Sequence, residues 1–300
     1  MSDVRDAGDR IEEFHYRLPA TFGGQRPGAH RGSSLGAGQA FAAHRRLFDH
    51  PDPRRIDLRA SVRDVRREWL VRIQRQRVAT PVHAVVDVSA SMHFGAQRSK
   101  LDVVANFIEA LGHSAFRTGD ALGLLAFDHG VRDDLWTPPR HSRGAGSAMA
   151  EALRGCEAES AYQHDRAHEH TAQALGHATA ALAGRQGLVF VVSDFHWPLE
   201  PLHGVLEQLA PACIVPIVVW DPAEVEPPAA HALVAVSDAE TGVRRTLWMR
   251  EPLRRQWSAA VAARRAALHA VFDAHGLAPF HMQGAFDAEA LTRHFMEAVA

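Results

Sequence analysis

Asp87, Ser89 and Ser91 stand at alternate positions where an apolar run turns polar, in Val85-Val86-Asp87-Val88-Ser89-Ala90-Ser91-Met92. In an extended turn this spacing directs one carboxylate and two hydroxyls toward one point. Such hard oxygens suit Mg²⁺ (or Mn²⁺), which takes a near-octahedral oxygen shell and keeps places for water or a partner's donor. Three protein oxygens do not fill that shell. A second run ends alike, in Val191-Val192-Ser193-Asp194, and makes Asp194 a candidate second carboxylate, bound directly or through water. The plainer alternative is that the serines cap the segments that follow and that Asp87 is a helix-start acid. A lone Asp-x-Ser would favour that alternative; the triple pattern, joined by a later Ser-Asp, favours the metal.

These residues need elements to position them. From Pro81 onward short apolar runs alternate with amphipathic stretches, the signature of a mostly parallel sheet covered on both faces. Strands are expected at 82–87, 121–127, 187–193, 213–220 and 277–281, and helices at 100–117, 145–154, 171–183, 199–209, 252–275 and 288–298. Segments 232–236 and 243–249 flank Asp238-Ala-Glu-Thr-Gly242 and read as a β-hairpin. Right-handed crossovers put the carboxyl ends of the strands on one edge, where open α/β sheets bind ligands, so Asp194 is expected on the same edge as Ser91. The fold class is therefore α/β, a doubly wound, mostly parallel, Rossmann-type sheet with a small hairpin insertion, spanning residues 80–300. Residues 1–79 are expected to form an N-terminal arm, loosely folded to about residue 38, followed by an arginine-rich segment that packs across the main domain with salt bridges.

Composition narrows the function. In 300 residues with a formal net charge of −2 there is no general attraction to nucleic acid or to an anionic membrane, so any charge effect must be local. The one basic stretch, residues 45–77, has eleven arginines against five carboxylates, interleaved with apolar residues. No apolar run approaches the roughly 20 residues that cross a bilayer, and the first residues lack the basic-then-apolar pattern of a secretory signal. The chain reads as cytoplasmic, with no membrane insertion. Its two cysteines, Cys156 and Cys213, read as free thiols.

Asp87-Val-Ser-Ala-Ser91-Met92 resembles the metal-ion-dependent adhesion site of von Willebrand factor A domains, and Ser193-Asp194 resembles its late aspartate. That resemblance implies a von Willebrand factor A-like fold and a loop threonine as a further ligand; Thr171, opening a helical run, is the first choice and Ser147 the second. A narrower resemblance runs from Gly32-Ser-Ser-Leu-Gly36-Ala-Gly38, Arg46-Leu-Phe48 and Arg54-Arg55-Ile56-Asp57-Leu58 through Gly95, Ser99-Lys100, Gly119-Asp120, Ser193-Asp194-Phe195 and Trp220-Asp221-Pro222 to Asp238–Gly242. These pieces are similar, in order, to the bacterial domain-of-unknown-function 58 family. The departures are Phe48, Pro51 and Leu58, where that family carries tyrosine, glycine and tryptophan. The resemblance implies an adaptor that works with a MoxR-type AAA+ ATPase in assembling or activating a client protein complex, an acidic residue of the partner taking the open metal position.

Other chemistries have less support. No Gly-x-Gly-x-x-Gly or Gly-x-x-x-x-Gly-Lys follows a strand, and Ser89 is not in a Gly-x-Ser-x-Gly elbow. His164, His168 and His170 have spacings that could bind zinc, yet no complete ligand set accompanies them. The alternatives to a non-enzymatic adaptor are a Mg²⁺-dependent phosphoesterase and a scaffold with a vestigial site.

Overall fold

The structure is a computed structural model that describes residues 13–18, 27–36, 40–157, 167–237, 239 and 242–297. Its first part holds β1 (Pro27–Gly36), β2 (Ala40–Arg46), the short helix α1 (Leu58–Arg63) and β3 (Leu70–Val78), with the strands forming an antiparallel sheet in the order β1-β3-β2. Within the arm expected to be loosely folded to about residue 38, Pro27–Gly36 is a strand. It pairs with β3, and its His30 is buried.

The main sheet contains β4 (Pro81–Asp87), β5 (Ala121–Phe127), β6 (Thr137–Arg140), β7 (Leu188–Ser193), β8 (Cys213–Trp220) and β11 (Phe280–Gln283), in the order β11-β8-β7-β4-β5-β6. Every neighbouring pair is parallel except β5 and β6. This is the expected doubly wound, mostly parallel arrangement. The edge strand β6 escapes a sequence reading because Pro138 and Pro139 suppress strand signals, and prolines are tolerated at an edge where no ladder donor is needed. Between β8 and β11 lie α6 (Pro222–Val225), the hairpin β9 (Leu233–Ser237) and β10 (Arg244–Trp248), and α7 (Glu251–Ala274). The hairpin stands where its flanking runs place it; Asp238, Glu240 and Thr241 of its turn are outside the described residues.

Strand alternation divides the interior into two cores. Val82, Ala84 and Val86 of β4, with Leu188, Phe190 and Val192 of β7, face α2 (Lys100–Thr118), α3 (Ala145–Arg154) and α8 (Ala288–Glu297). Val85, Val189 and Val191 face α4 (Ala167–Ala180), α5 (Glu200–Gln208) and α7. On the first face α2 and α3 cross so closely that a Cβ on Gly112 would lie 2.3 Å from the Gly146 Cα, so only glycine fits there.

Residues 13–18 cover that face. Phe14 stacks on Phe107 and Phe295, and Tyr16 donates to Asp120 Oδ2 at 2.5 Å. The same oxygen meets His30 Nε2 and the Thr118 hydroxyl at 2.7 Å each, and Oδ1 accepts the Thr80 amide at 2.7 Å. Asp120 therefore ties arm, small sheet and main sheet together. Its carboxyl stays below the usual range: burial pushes it up, but the His30 and backbone contacts outweigh that.

In the arginine-rich segment, Arg46 pairs with Glu68, Arg55 with Asp52 and Arg72 with Asp57, all within residues 45–77. Its carboxylates are interspersed closely enough to satisfy part of its charge locally. No helix among the described residues is long and apolar enough to cross a membrane.

Candidate functional site

Asp87 ends β4 in the middle of the sheet and is fully buried. Its Oδ1 accepts the Ser89 amide at 2.9 Å, which turns the chain sharply and brings the Ser89 and Ser91 hydroxyls to 3.3 Å from each other. Ser89 then leads into a one-turn 3-10 helix, Ala90–His93, pinned by the buried Met92. On the neighbouring strand, Ser193 donates to Asp87 Oδ2 at 2.6 Å, and Trp197 Nε1 approaches that oxygen at 3.2 Å. Ser91 hydrogen-bonds Asp194 and so closes the group. Asp87, Ser89, Ser91 and Asp194 thus form one connected cluster on the carboxyl edge.

The loop behind Asp194 is held under strain. Phe195 has φ of 53°, a left-handed backbone that an aromatic residue rarely adopts. Several contacts fix it there. Ser193 Oγ accepts its amide at 2.9 Å, Arg264 of α7 donates to its carbonyl and to that of Trp197, and its ring packs on Trp197 and Phe272. Trp220 Nε1 holds the Asp194 carbonyl at 2.9 Å.

A residue that sequence reasoning did not assign to the site dominates its electrostatics. Lys100, at the first position of α2, is 2 % exposed and places Nζ 2.6 Å from Asp194 Oδ2 and 2.7 Å from Glu224 Oε1. Asp194, His196 and Glu224 come close enough to share a cation, and Lys100 is the cation the chain itself supplies there. Glu224 is placed by the capping box of α6, its Oε2 accepting the Asp221 amide at 2.9 Å. Two signals could have pointed to this pair: Lys100 is the chain's only lysine, and Asp221–Glu224 has capping-box spacing.

The two aspartates are driven apart. Burial pushes the Asp87 carboxyl up to about 7, helped by the charge of Asp194 and opposed by bonds from Ser193 and Ser89. For Asp194 burial acts in the same sense, but the Lys100 ammonium, with His196 and the hydrogen bonds from Lys100 and Ser91, holds it well below the usual carboxylate range. Asp194 and Glu224 therefore face one ammonium, while Asp87 is bonded by the Ser89 amide, Ser193 and Trp197 and burial favours its neutral form. The oxygen donors fit a hard divalent cation beside Asp87, Ser89, Ser91 and Asp194, whose charge would favour the ionised form of Asp87. Ser91, half-buried, is where the cluster meets solvent.

Thr171 is 2 % exposed on α4. Since α4 begins at Ala167, Thr171 lies in its second turn rather than opening the helix as expected. The helix descends toward the amino-terminal edge before β7 rises, so this turn lies toward the edge that carries Asp87. Ser147 is elsewhere: it is exposed on α3 and donates to Glu109 at 3.2 Å, and Glu109 lies nine residues, about 13 Å, along α2 from Lys100. His164 lies outside the described residues, and so does the side chain of His168.

A family model described as "Protein of unknown function DUF58" matches residues 46–267. Comparison with the curated proteins found no match. Similar solved structures include the conserved hypothetical protein BatB from Bacteroides thetaiotaomicron, at 12 % identity and TM-score 0.40, covering 73 % of this chain and 98 % of that one. An aerotolerance-related membrane protein from Bacteroides fragilis, with multiple mutations to serines, is 12 % identical at TM-score 0.43, covering 74 % and 98 %. Proximal thread matrix protein 1 from the mussel byssus, described with a zinc-occupied MIDAS motif, is 11 % identical at TM-score 0.31, covering 74 % and 47 %.

Proposed function

Because the chain belongs to the DUF58 family, whose model spans most of it, we propose that it is a metal-dependent protein-binding adaptor rather than an enzyme. The observation that carries this reading is the convergence of Asp87, Ser89, Ser91 and Asp194 into one hydrogen-bonded oxygen cluster at the end of β4. Mg²⁺ or Mn²⁺ would be held by Asp87, Ser89 and Ser91, with Asp194 and Thr171 completing or orienting the shell. The bound ion would supply a positive centre for an acidic side chain of the partner. Lys100 would keep Asp194 ionised and in place, and Arg264 would fix the loop that carries it.

The family resemblance supports a MoxR-type AAA+ ATPase as the partner to test, with a further protein complex as client. A binding role is favoured over phosphoester hydrolysis by the burial of the carboxylates. Asp87 and Asp194 are both fully enclosed, and only Ser91 in the cluster is half-buried, which leaves little room for a substrate and an attacking water. The test is capture of the ATPase by wild type and Asp87→Ala, each with Mg²⁺ and with EDTA. Capture by wild type with Mg²⁺ alone is expected; capture indifferent to both changes would overturn the reading. Metal-stimulated turnover of phosphoesters that vanishes in Asp87→Ala would replace it with the enzymatic one.

A further inference from the structure

The connection from β2 to β3, residues 47–69, exposes apolar side chains that nothing among the described residues covers. Phe48 is 94 % exposed, Val62 85 % and Val65 98 %, and Leu58 and Trp69 are also exposed. They belong to one structural end. Leu47 donates its amide to the Trp69 carbonyl at 2.8 Å, Asp57 caps α1 while its amide bonds Leu70, and Asp64 accepts the Glu68 amide at 3.0 Å. Isolated exposed apolar residues are ordinary, but a group of this size on one connection marks a surface that meets something.

Arginines are interleaved with these residues. Arg54, Arg59, Arg63, Arg66 and Arg67 are exposed, and among the described residues no carboxylate pairs with their guanidinium groups, in contrast to Arg46, Arg55 and Arg72. Residues 45–77 are strongly basic in a chain whose formal net charge is −2, so the rest of the chain is acidic and the charge is concentrated here. The complement is an anionic surface that also accepts aliphatic and aromatic tips.

We propose that residues 47–69 dock the protein reversibly on an anionic lipid surface, without spanning it. Near-complete exposure makes Phe48, Val62 and Val65 projections rather than the walls of a groove, and a fluid interface admits projections whereas a folded partner needs matching pockets for them. The arginines would sit among lipid phosphates, their apolar stems beside the valines. A nucleic acid would satisfy the arginines but leave the valines and Phe48 in water. The position suits this role, because β3 carries the cap about 26 Å of strand away from Val78. Val78 leads to the amino-terminal end of β4, while Asp87 lies at the other end.

The experiment is co-sedimentation of the full chain, in EDTA so that no metal bridges lipid to Asp87. It uses vesicles of phosphatidylcholine with phosphatidylglycerol and vesicles of phosphatidylcholine alone. Binding to the anionic vesicles only, weakened by salt, is expected. Arg63→Glu/Arg66→Glu and, separately, Val62→Ser/Val65→Ser should each lower it by about tenfold or more. These positions are exposed, and an unchanged circular dichroism spectrum and melting temperature would show the variants folded. No binding by wild type, equal binding to both vesicle types, or folded variants that bind like wild type would each overturn the proposal. So would retention on polyglutamate beads without vesicle binding, which would make the partner an acidic protein. An Asp87→Ala protein should bind vesicles normally, which separates this surface from the metal cluster.

Discussion

Lys100 Nζ lies 2.6 Å from Asp194 Oδ2 in a setting almost sealed from water. The two charges are far apart in the chain but meet at one edge of the sheet, one from the start of α2, which follows β4, and the other from the end of the neighbouring strand β7. Removing one partner of a buried pair strands the other. Lys100→Met should therefore cost about 3–5 kcal/mol of stability, and Mg²⁺ should restore more of it than it adds to wild type. Thermal unfolding with and without Mg²⁺ measures both effects; an unchanged melting temperature would mean that the pair contributes nothing.

Ser89 and Ser91 should matter to the ion more than to the fold. Ser89→Ala/Ser91→Ala removes two hydroxyl donors while Asp87 keeps its bonds from Ser193 and Trp197. Titration calorimetry with Mn²⁺ should show affinity lower by at least tenfold, about 1.4 kcal/mol, with melting changed by only a few degrees. Retained affinity would place the ion elsewhere.

His83 on β4 sets a pH dependence far from the metal cluster. Burial, then the charge of Arg185, lowers its pKa from 6.5 to about 4. Between those values the unfolded chain binds a proton that the folded chain does not. The contribution is complete above pH 6.5 and lost as pH falls toward 4, by at most about 1.4 kcal/mol per pH unit. His83→Gln should flatten the stability profile over this window, as denaturant unfolding at several pH values would reveal. A parallel profile would contradict the assignment.

Asp120 should be the residue whose loss frees the arm. Its carboxylate accepts Tyr16, Thr118 and the Thr80 amide and meets His30, so Asp120→Ala leaves buried polar groups without a partner, at a cost on the order of 3 kcal/mol. Tyr16→Phe should cost about 1 kcal/mol. Limited proteolysis should cut Asp120→Ala near residues 13–18 while the main domain persists; equal resistance to wild type would show the arm held by Phe14 alone.

Gly112 offers a packing test. A methyl group there would meet the Gly146 backbone at 2.3 Å, so Gly112→Ala should destabilise by about 1–3 kcal/mol by pushing α3 from α2. The helix propensity of alanine alone would predict a gain instead, so the sign of the measured change decides.

Much of this architecture was legible in the residues. The runs ending at Asp87, Phe127, Ser193 and Trp220 are apolar at successive positions because both faces of their strands are buried, and this shows in a single sequence. The alternation Asp87, Ser89, Ser91 and the later Asp194 announced the cluster for the same local reason: a strand end exposes oxygens at fixed spacing. The small sheet was not legible, since β1 and β2 owe their pairing to β3 and neither carries an apolar alternation in its residues. That α4 begins one turn before Thr171 was not legible, because an N-cap and an internal threonine look alike when the preceding residues, Ala167–His170, suit a helix equally well.

By itself the sequence determined the doubly wound order of strands and helices, the oxygen-rich strand end and the concentration of arginine in one segment, because each is written in neighbouring residues. Only the tertiary structure decided that Lys100 and Glu224 join Asp194, that Asp120 gathers the arm, and that residues 47–69 stand uncovered. Lys100, Asp194 and Glu224 are separated by 94 and 30 positions of chain, and no local pattern encodes such contacts. They arise from which helix ends the parallel crossovers bring to one edge of the sheet, and a buried charge is fixed by the partners that edge supplies.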